Sequence, residues 1–218
     1  MKLTNNFYLN EFLKSRTAKK FDFEDQFNPP TDIVNNLKKL CENILQPLSD
    51  SVDNEPIMIT SGYRSPQLNS KIGGSSTSEH CYGMAADIQY YRNSKEENRI
   101  IFDYIIQLDL PFGQLIYEFG DEESPDWVHV SYNENRIRKQ ILKAYKENGR
   151  TKYDDITNTY KVKHILPTKK ENKTEEINKT SKQYDKVLDI IKSFKDINSN
   201  SIKEVDFNEL AYKIIKYW

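Results

Sequence analysis

Apolar positions in the first 150 residues follow two alternating periods, and the switches between them mark the elements. Ile33, Leu37, Leu40, Cys41, Ile44 and Leu45 recur three and four apart, which predicts an amphipathic helix over 32–48. Pro29 and Pro30 punctuate the chain ahead of it, Thr31 is its N-cap, and Asp32 complements the positive helix end. A shorter amphipathic turn or helix over Phe7–Ser15 comes first. Helical spacing returns over 95–108, with Ile100, Ile101, Tyr104, Ile105 and Leu108 on one side. Short β-prone runs lie between and after these segments: Ile57–Ser61, Met84–Tyr90, Gln114–Phe119 and Trp127–Tyr132. The order reads helix, strand, loop, strand, helix, strand, strand, helix. The close spacing of the last two strands suggests a hairpin, and the fold class is α+β.

Near residue 150 the pattern changes. All seven Gly, all seven Arg and both Cys lie within residues 1–150. That segment carries a net charge of −4, and residues 151–218 carry +3. Gly149, in the stretch Asn148–Thr151, offers a turn or helix C-cap at the junction. The reading is therefore a domain over 1–148, a linker over 149–182 and an amphipathic helical C-terminal extension over 183–218. In that extension Tyr184, Val187, Leu188, Ile191 and Phe194 form one stripe, and a last helix capped by Asp206 carries Phe207, Leu210, Ile214 and Trp218. Such stripes need something to bury against: each other, the first domain, or a partner.

Composition narrows the function. The overall net charge of −1 lacks the basic surplus of a nucleic-acid binder. No apolar run approaches the roughly 18–20 residues of a membrane span. The N-terminus, MKLTNNFYLNEFLKSRT, has no apolar core of a signal peptide, which points to synthesis in a cytoplasm without secretion. Two cysteines in 218 residues do not make a disulfide framework.

The chemistry concentrates in a few residues. If 84–90 is a strand, Asp87 shares a face with Ala85 and Gln89; on the last strand Trp127, His129 and Ser131 share a face. Asp87 and His129 then project from neighbouring strands into one cleft, and His80 arrives from the loop before. Two imidazoles and a carboxylate make a three-ligand catalytic zinc set with a fourth position open. Asp126 precedes His129 by three residues, so on an ideal strand the two would face opposite ways. Asp126 therefore belongs to the irregular approach after Pro125, where the chain can turn it toward the metal as a base. Arg64, in Ser61-Gly62-Tyr63-Arg64-Ser65, has the planar fork that suits a terminal carboxylate. Cys41, on the apolar stripe, reads as core, and His164, in a Lys-rich stretch, as a solvated surface residue.

These stretches, together with Ser78-x-His80-x-x-Gly83-x-Ala85-x-Asp87 and Asp126-x-x-His129, resemble the zinc D-Ala-D-Ala carboxypeptidase metallopeptidases. Within that family the chain is most similar to the phage-encoded cell-wall hydrolases. The resemblance runs from about Phe7 to about Ala144. It implies a hedgehog/DD-peptidase fold with a small antiparallel sheet flanked by helices. It implies Zn2+ on His80, Asp87 and His129, Asp126 as catalytic base, and Arg64 and Ser78 at the substrate. The implied substrates are peptidoglycan stem peptides, reached after host lysis or by delivery in a virion. The alternative is a virion structural or anchoring protein that keeps the peptidase fold and docks to a partner through 183–218.

Overall fold

The computed structural model describes residues 1–52, 56–92 and 95–166. Its compact unit runs from Met1 to Leu166. The extension expected over 183–218, and the part of the expected linker beyond 166, lie outside the described residues.

Two short helices, α1 (Leu9–Phe12) and α2 (Arg16–Lys20), lead into α3 (Thr31–Leu40). The helix expected over 32–48 is present but not uniform. It widens into a π-helical stretch at Cys41–Leu45 and closes as α4 (Gln46–Ser49). Pro47 accounts for the change, because it has no N–H to give to the carbonyl four residues back. Ile33, Leu37, Leu40, Cys41, Ile44, Leu45 and Leu48 all turn into the core, so the apolar stripe does bury as its spacing requires. Helix α5 (Pro66–Lys71) starts from Ser65, whose hydroxyl accepts from the Leu68 N–H, and α6 (Asn98–Gln107) supplies Ile101, Phe102 and Ile105.

The strands are β1 (Ile57–Ser61), β2 (Ala85–Arg92), β3 (Lys95–Glu96), β4 (Gln114–Glu118), β5 (Trp127–Ser131), β6 (Gln140–Glu147) and β7 (Arg150–Asp155). They form one sheet in the order β1-β2-β5-β4-β6-β7, with β3 paired to β2. The helical reading of 95–108 loses its first residues to β3. Two further expectations change. The sheet is mixed, because β4 and β6 run parallel, and the element after β5 is a strand, not a helix. The segment expected to open a linker at 149 instead continues the sheet: Asn148 and Gly149, both at positive φ, turn β6 back on β7. Among the described residues no helix is long and apolar enough to cross a membrane.

The two sheet faces differ. Ala86, Ile88, Tyr90, Leu115, Tyr117, Val128 and Val130 join the helices in the main core. The alternating positions, Asp87, Ile116, Glu118, Trp127 and His129, look the other way, into an open cleft of about 880 Å³.

Candidate metal centre

Register places the chemistry. Asp87 stands opposite His129 across the β2–β5 ladder, and Ile116 stands opposite His129 across β4–β5. His80 comes from a 3₁₀ turn, Glu79–Tyr82, that ends at Gly83. Gly83 has φ +64, and a Cβ there would lie 2.7 Å from the Ile33 carbonyl oxygen. Only glycine lets this turn press against α3 and present His80 to the sheet. His80 Nδ1 lies 2.7 Å from the Gly62 carbonyl oxygen. A carbonyl can only accept, so the proton sits on Nδ1 and Nε2 presents a lone pair, with Arg64 Nη2 3.3 Å from it.

Three donor atoms converge. His80 Nε2 is 3.2 Å from His129 Nδ1, His129 Nδ1 is 2.9 Å from Asp87 Oδ1, and His80 Nε2 is 3.2 Å from Asp87 Oδ1. All three residues are buried. Ligands about 2.0–2.1 Å from a tetrahedral zinc are separated by roughly 3.3 Å, so this triangle has the edge lengths of a zinc face. Two nitrogens and a carboxylate oxygen, with one imidazole tautomer already set by a backbone carbonyl, fit Zn2+. Burial alone would raise the Asp87 carboxyl, but the His80 and His129 rings beside it hold it well below the usual carboxylate range. Burial lowers the His80 pKa, against the pull of Asp87, which keeps the ring neutral as a ligand must be.

The residues around the triangle depart from expectation in two ways. Arg64 lies in the cleft, but much of its fork is already engaged: Nη2 donates to Asp87 Oδ2 at 2.8 Å and Nε to Ser61 Oγ at 3.1 Å. The arginine thus holds the carboxylate oxygen that the triangle does not use. Ser78 is half-buried on the cleft wall, immediately before the His80 turn.

Asp126 lies at the edge of the cleft, on the approach to β5. Its N–H donates to the Glu118 carbonyl, and its own carbonyl accepts from Gln89 and Asn98. So fixed, the residue is exposed and lines a hollow with Phe119, Ser124 and Lys143 that adjoins the cleft of the three donors and shares Phe119 and Lys146 with it.

Two contributors went unread in the sequence. Glu118 ends β4 on the cleft face and is only 8% exposed. Burial pushes its carboxyl up to about 7, against the pull of His129 and with the push of Asp87. A lone acid closing the apolar run QLIYE was the available signal. Gln26 is fully buried and pins the Arg64 loop: its amide donates to the Leu13 and Tyr63 carbonyls and accepts from the Ser65 N–H. No local pattern announces it, because its partners are up to 39 residues away.

A buried triangle of two imidazoles and a carboxylate, at the floor of an open cleft on a mixed sheet, defines a protein built to hold one catalytic metal ion. The model of the Peptidase M15 family matches residues 5–131, more than half of the chain, and the chain belongs to that family of zinc peptidases. It is also similar to the zinc D-Ala-D-Ala carboxypeptidase of Streptomyces albus G, at 43% identity over 44 residues. That match covers 20% of this chain and 17% of the relative's length.

Proposed function

We propose that this chain is a zinc peptidase that cleaves peptide bonds in peptidoglycan stem peptides, with His80 Nε2, Asp87 Oδ1 and His129 Nδ1 as the metal's protein ligands. The donor triangle carries the reading, and membership of a peptidase family gives it its reaction class. The relative's name supplies the substrate, a peptide ending in D-Ala-D-Ala.

When bound, zinc polarises the scissile carbonyl and lowers the pKa of a coordinated water toward ~7. The chain's own residues provide the rest. Gly62 fixes the His80 tautomer, and Arg64 fixes Asp87 so that one oxygen faces the two imidazoles. Arg64 Nη1 makes no hydrogen bond among the described residues, and this part of the fork meets a substrate carboxylate in the cleft. The Ser78 hydroxyl, on the same wall, adds a second polar contact.

The test is direct. Purified protein loaded with zinc is incubated with peptidoglycan and with a synthetic stem pentapeptide ending in D-Ala-D-Ala, and the products are read by mass spectrometry. Cleavage at a stem-peptide bond, abolished by a chelator and restored by zinc, is expected. Intact substrates with the zinc-loaded protein would sink the reading.

A further inference from the structure

We infer that Arg136 and Arg138 form a second anion subsite in the metal cleft, which selects substrates carrying a free carboxylate two or three residues from the scissile bond. The inference rests on the peptidase reading and adds to it a preference among stem peptides, for acidic over amidated ones.

Three of the chain's seven arginines, Arg64, Arg136 and Arg138, line this one cleft. Arg64 is committed to Asp87 and Ser61 beside the donor triangle. The other two come from the connection between β5 and β6, and register gives their distance from the metal ligands. Ile116 stands level with His129 across the β4–β5 ladder. Gln114, two residues back on the same cleft-lining face, pairs with Gln140 at the start of β6, and Arg138 lies two residues before Gln140. A strand advances about 3.3 Å per residue, so the arginine end of the cleft begins roughly 7 Å from the level of His129. An extended peptide with its scissile bond at the triangle covers that distance in about two residues.

The connection is held in place. The Arg136 N–H donates to the Asn133 carbonyl at 2.8 Å, and the Lys139 N–H to the Phe112 carbonyl at 3.1 Å. The guanidinium groups themselves are not spent. Arg138 is partly buried, and its Nη2 lies 3.6 Å from Glu79 Oε1, near enough for charge attraction but beyond a hydrogen bond. Its Nε is shielded from solvent and has no hydrogen-bond partner among the described residues. Glu79 thus anchors the Arg138 fork by charge and leaves its donors unused. The Arg136 side chain is exposed and makes no hydrogen bond or ion pair among the described residues. Two forks with unused donors on one cleft wall suit a carboxylate, which supplies charge and paired acceptors together. A carboxamide of the same shape supplies one acceptor and no charge, so the pair discriminates between the two.

The experiment uses two synthetic stem pentapeptides ending in D-Ala-D-Ala. One has free side carboxylates on its second and third residues, and the other has both as carboxamides. The zinc-loaded full chain is compared with Arg136→Gln, Arg138→Gln, the double variant and Lys20→Gln, an equal charge change on α2 outside the cleft lining. Cleavage is followed by mass spectrometry, peptide Kd by calorimetry and zinc content by atomic absorption. The unsubstituted protein is expected to favour the acidic peptide by roughly 10–100-fold in kcat/KM, mostly through KM. Each arginine variant should shrink that ratio, the double variant should bring it near one, and Lys20→Gln should keep it. Equal kcat/KM and equal Kd for the two peptides on the unsubstituted protein would overturn the inference, as would a preference that survives in the double variant. Loss of zinc from Arg138→Gln, or an equal loss on both peptides, would make that residue a support of the His80 turn through Glu79 and remove it from the subsite. If the unsubstituted protein cuts neither peptide, the peptidase reading falls, while the Kd ratio still decides the subsite.

Discussion

At the scale of single residues, Glu118 is the costly one. Its folded pKa of about 7 stands above its ordinary value of 4.5, so between these values the folded protein keeps a proton that the unfolded chain releases. The stability this proton supports is complete below about pH 4.5 and is lost as pH rises through 7. Without zinc, thermal melts at pH 5 and pH 8 should therefore differ more for the unsubstituted protein than for Glu118→Gln, whose side chain does not titrate. Equal differences would show that Glu118 ionises as freely as in the unfolded chain. His129 makes a different case, since what it contributes is a corner of the donor triangle. His129→Ala removes one corner of the donor triangle, and zinc content by atomic absorption should fall from about one per chain to near zero. Gln26 tests positioning at a distance from the metal. Gln26→Leu leaves the Ser65 N–H and the Leu13 and Tyr63 carbonyls without their partner in the interior, which should cost about 2–4 kcal/mol in denaturant unfolding. The three residues of the donor triangle were legible because their types and spacing are chemically restrictive. Glu118 and Gln26 were not, because an acid or amide acquires its meaning only from neighbours that the fold brings to it.

At the scale of elements, legibility depended on whether one period dominated. The α3 stripe and the strands around Asp87 and His129 had clear patterns, and the structure contains them. Residues 140–147 were ambiguous: Ile141, Leu142, Ala144 and Tyr145 fit a helical face as well as a strand that pairs on both sides. The parallel β4–β6 pairing decided the matter, and a parallel partner leaves no local signature. Asn148-Gly149, in contrast, carried a clear signal that was read as a boundary. Asn-Gly with both residues at positive φ is the preferred two-residue hairpin turn, so the pair joins strands instead of separating domains. The segment after β7 is held by a buried carboxylate on α6. Asp103 is fully buried and accepts from the Tyr160 hydroxyl and from the N–H groups of Lys163 and His164, while Arg99 pairs with it from the same helix. His164, expected to be a solvated surface residue, keeps a side chain 43% exposed and is in addition tied to the domain through its backbone and its ring. Asp103→Ala would leave these groups and Arg99 uncompensated. Limited proteolysis should then cut faster within 157–166, with a loss of about 3–5 kcal/mol in stability.

At the scale of the whole molecule, the question is where the autonomous unit ends. Charge and glycine content placed the change near residue 150, and the packing places it at Leu166. The two differ because composition records solvent exposure, and β7 is a mostly exposed edge strand whose Lys, Asp and Tyr side chains resemble those of a linker. Its backbone nonetheless completes the ladder to β6, and Tyr153 and Thr151 close one side of the metal cleft. Beyond it, Ile156, Tyr160 and Leu166 pack on the main core. A chain cut after residue 148 would therefore expose the β6 edge, uncover core apolar surface and leave buried Asp103 with Arg99 but without Tyr160, Lys163 and His164, three separate costs for one truncation. A chain cut after residue 166 would incur none of them. Purified 1–166 should melt cooperatively, bind one zinc and cleave the stem pentapeptide at a rate within about threefold of the full chain. Purified 1–148 should aggregate or melt at least several degrees lower, since about 1 kcal/mol shifts the midpoint of a domain this size by roughly 2–4 °C. Equal melting temperatures for the two truncations would mean that β7 and the strap after it contribute nothing to the fold. Full zinc binding by 1–166 without peptide cleavage would place an essential part of substrate handling in residues 167–218.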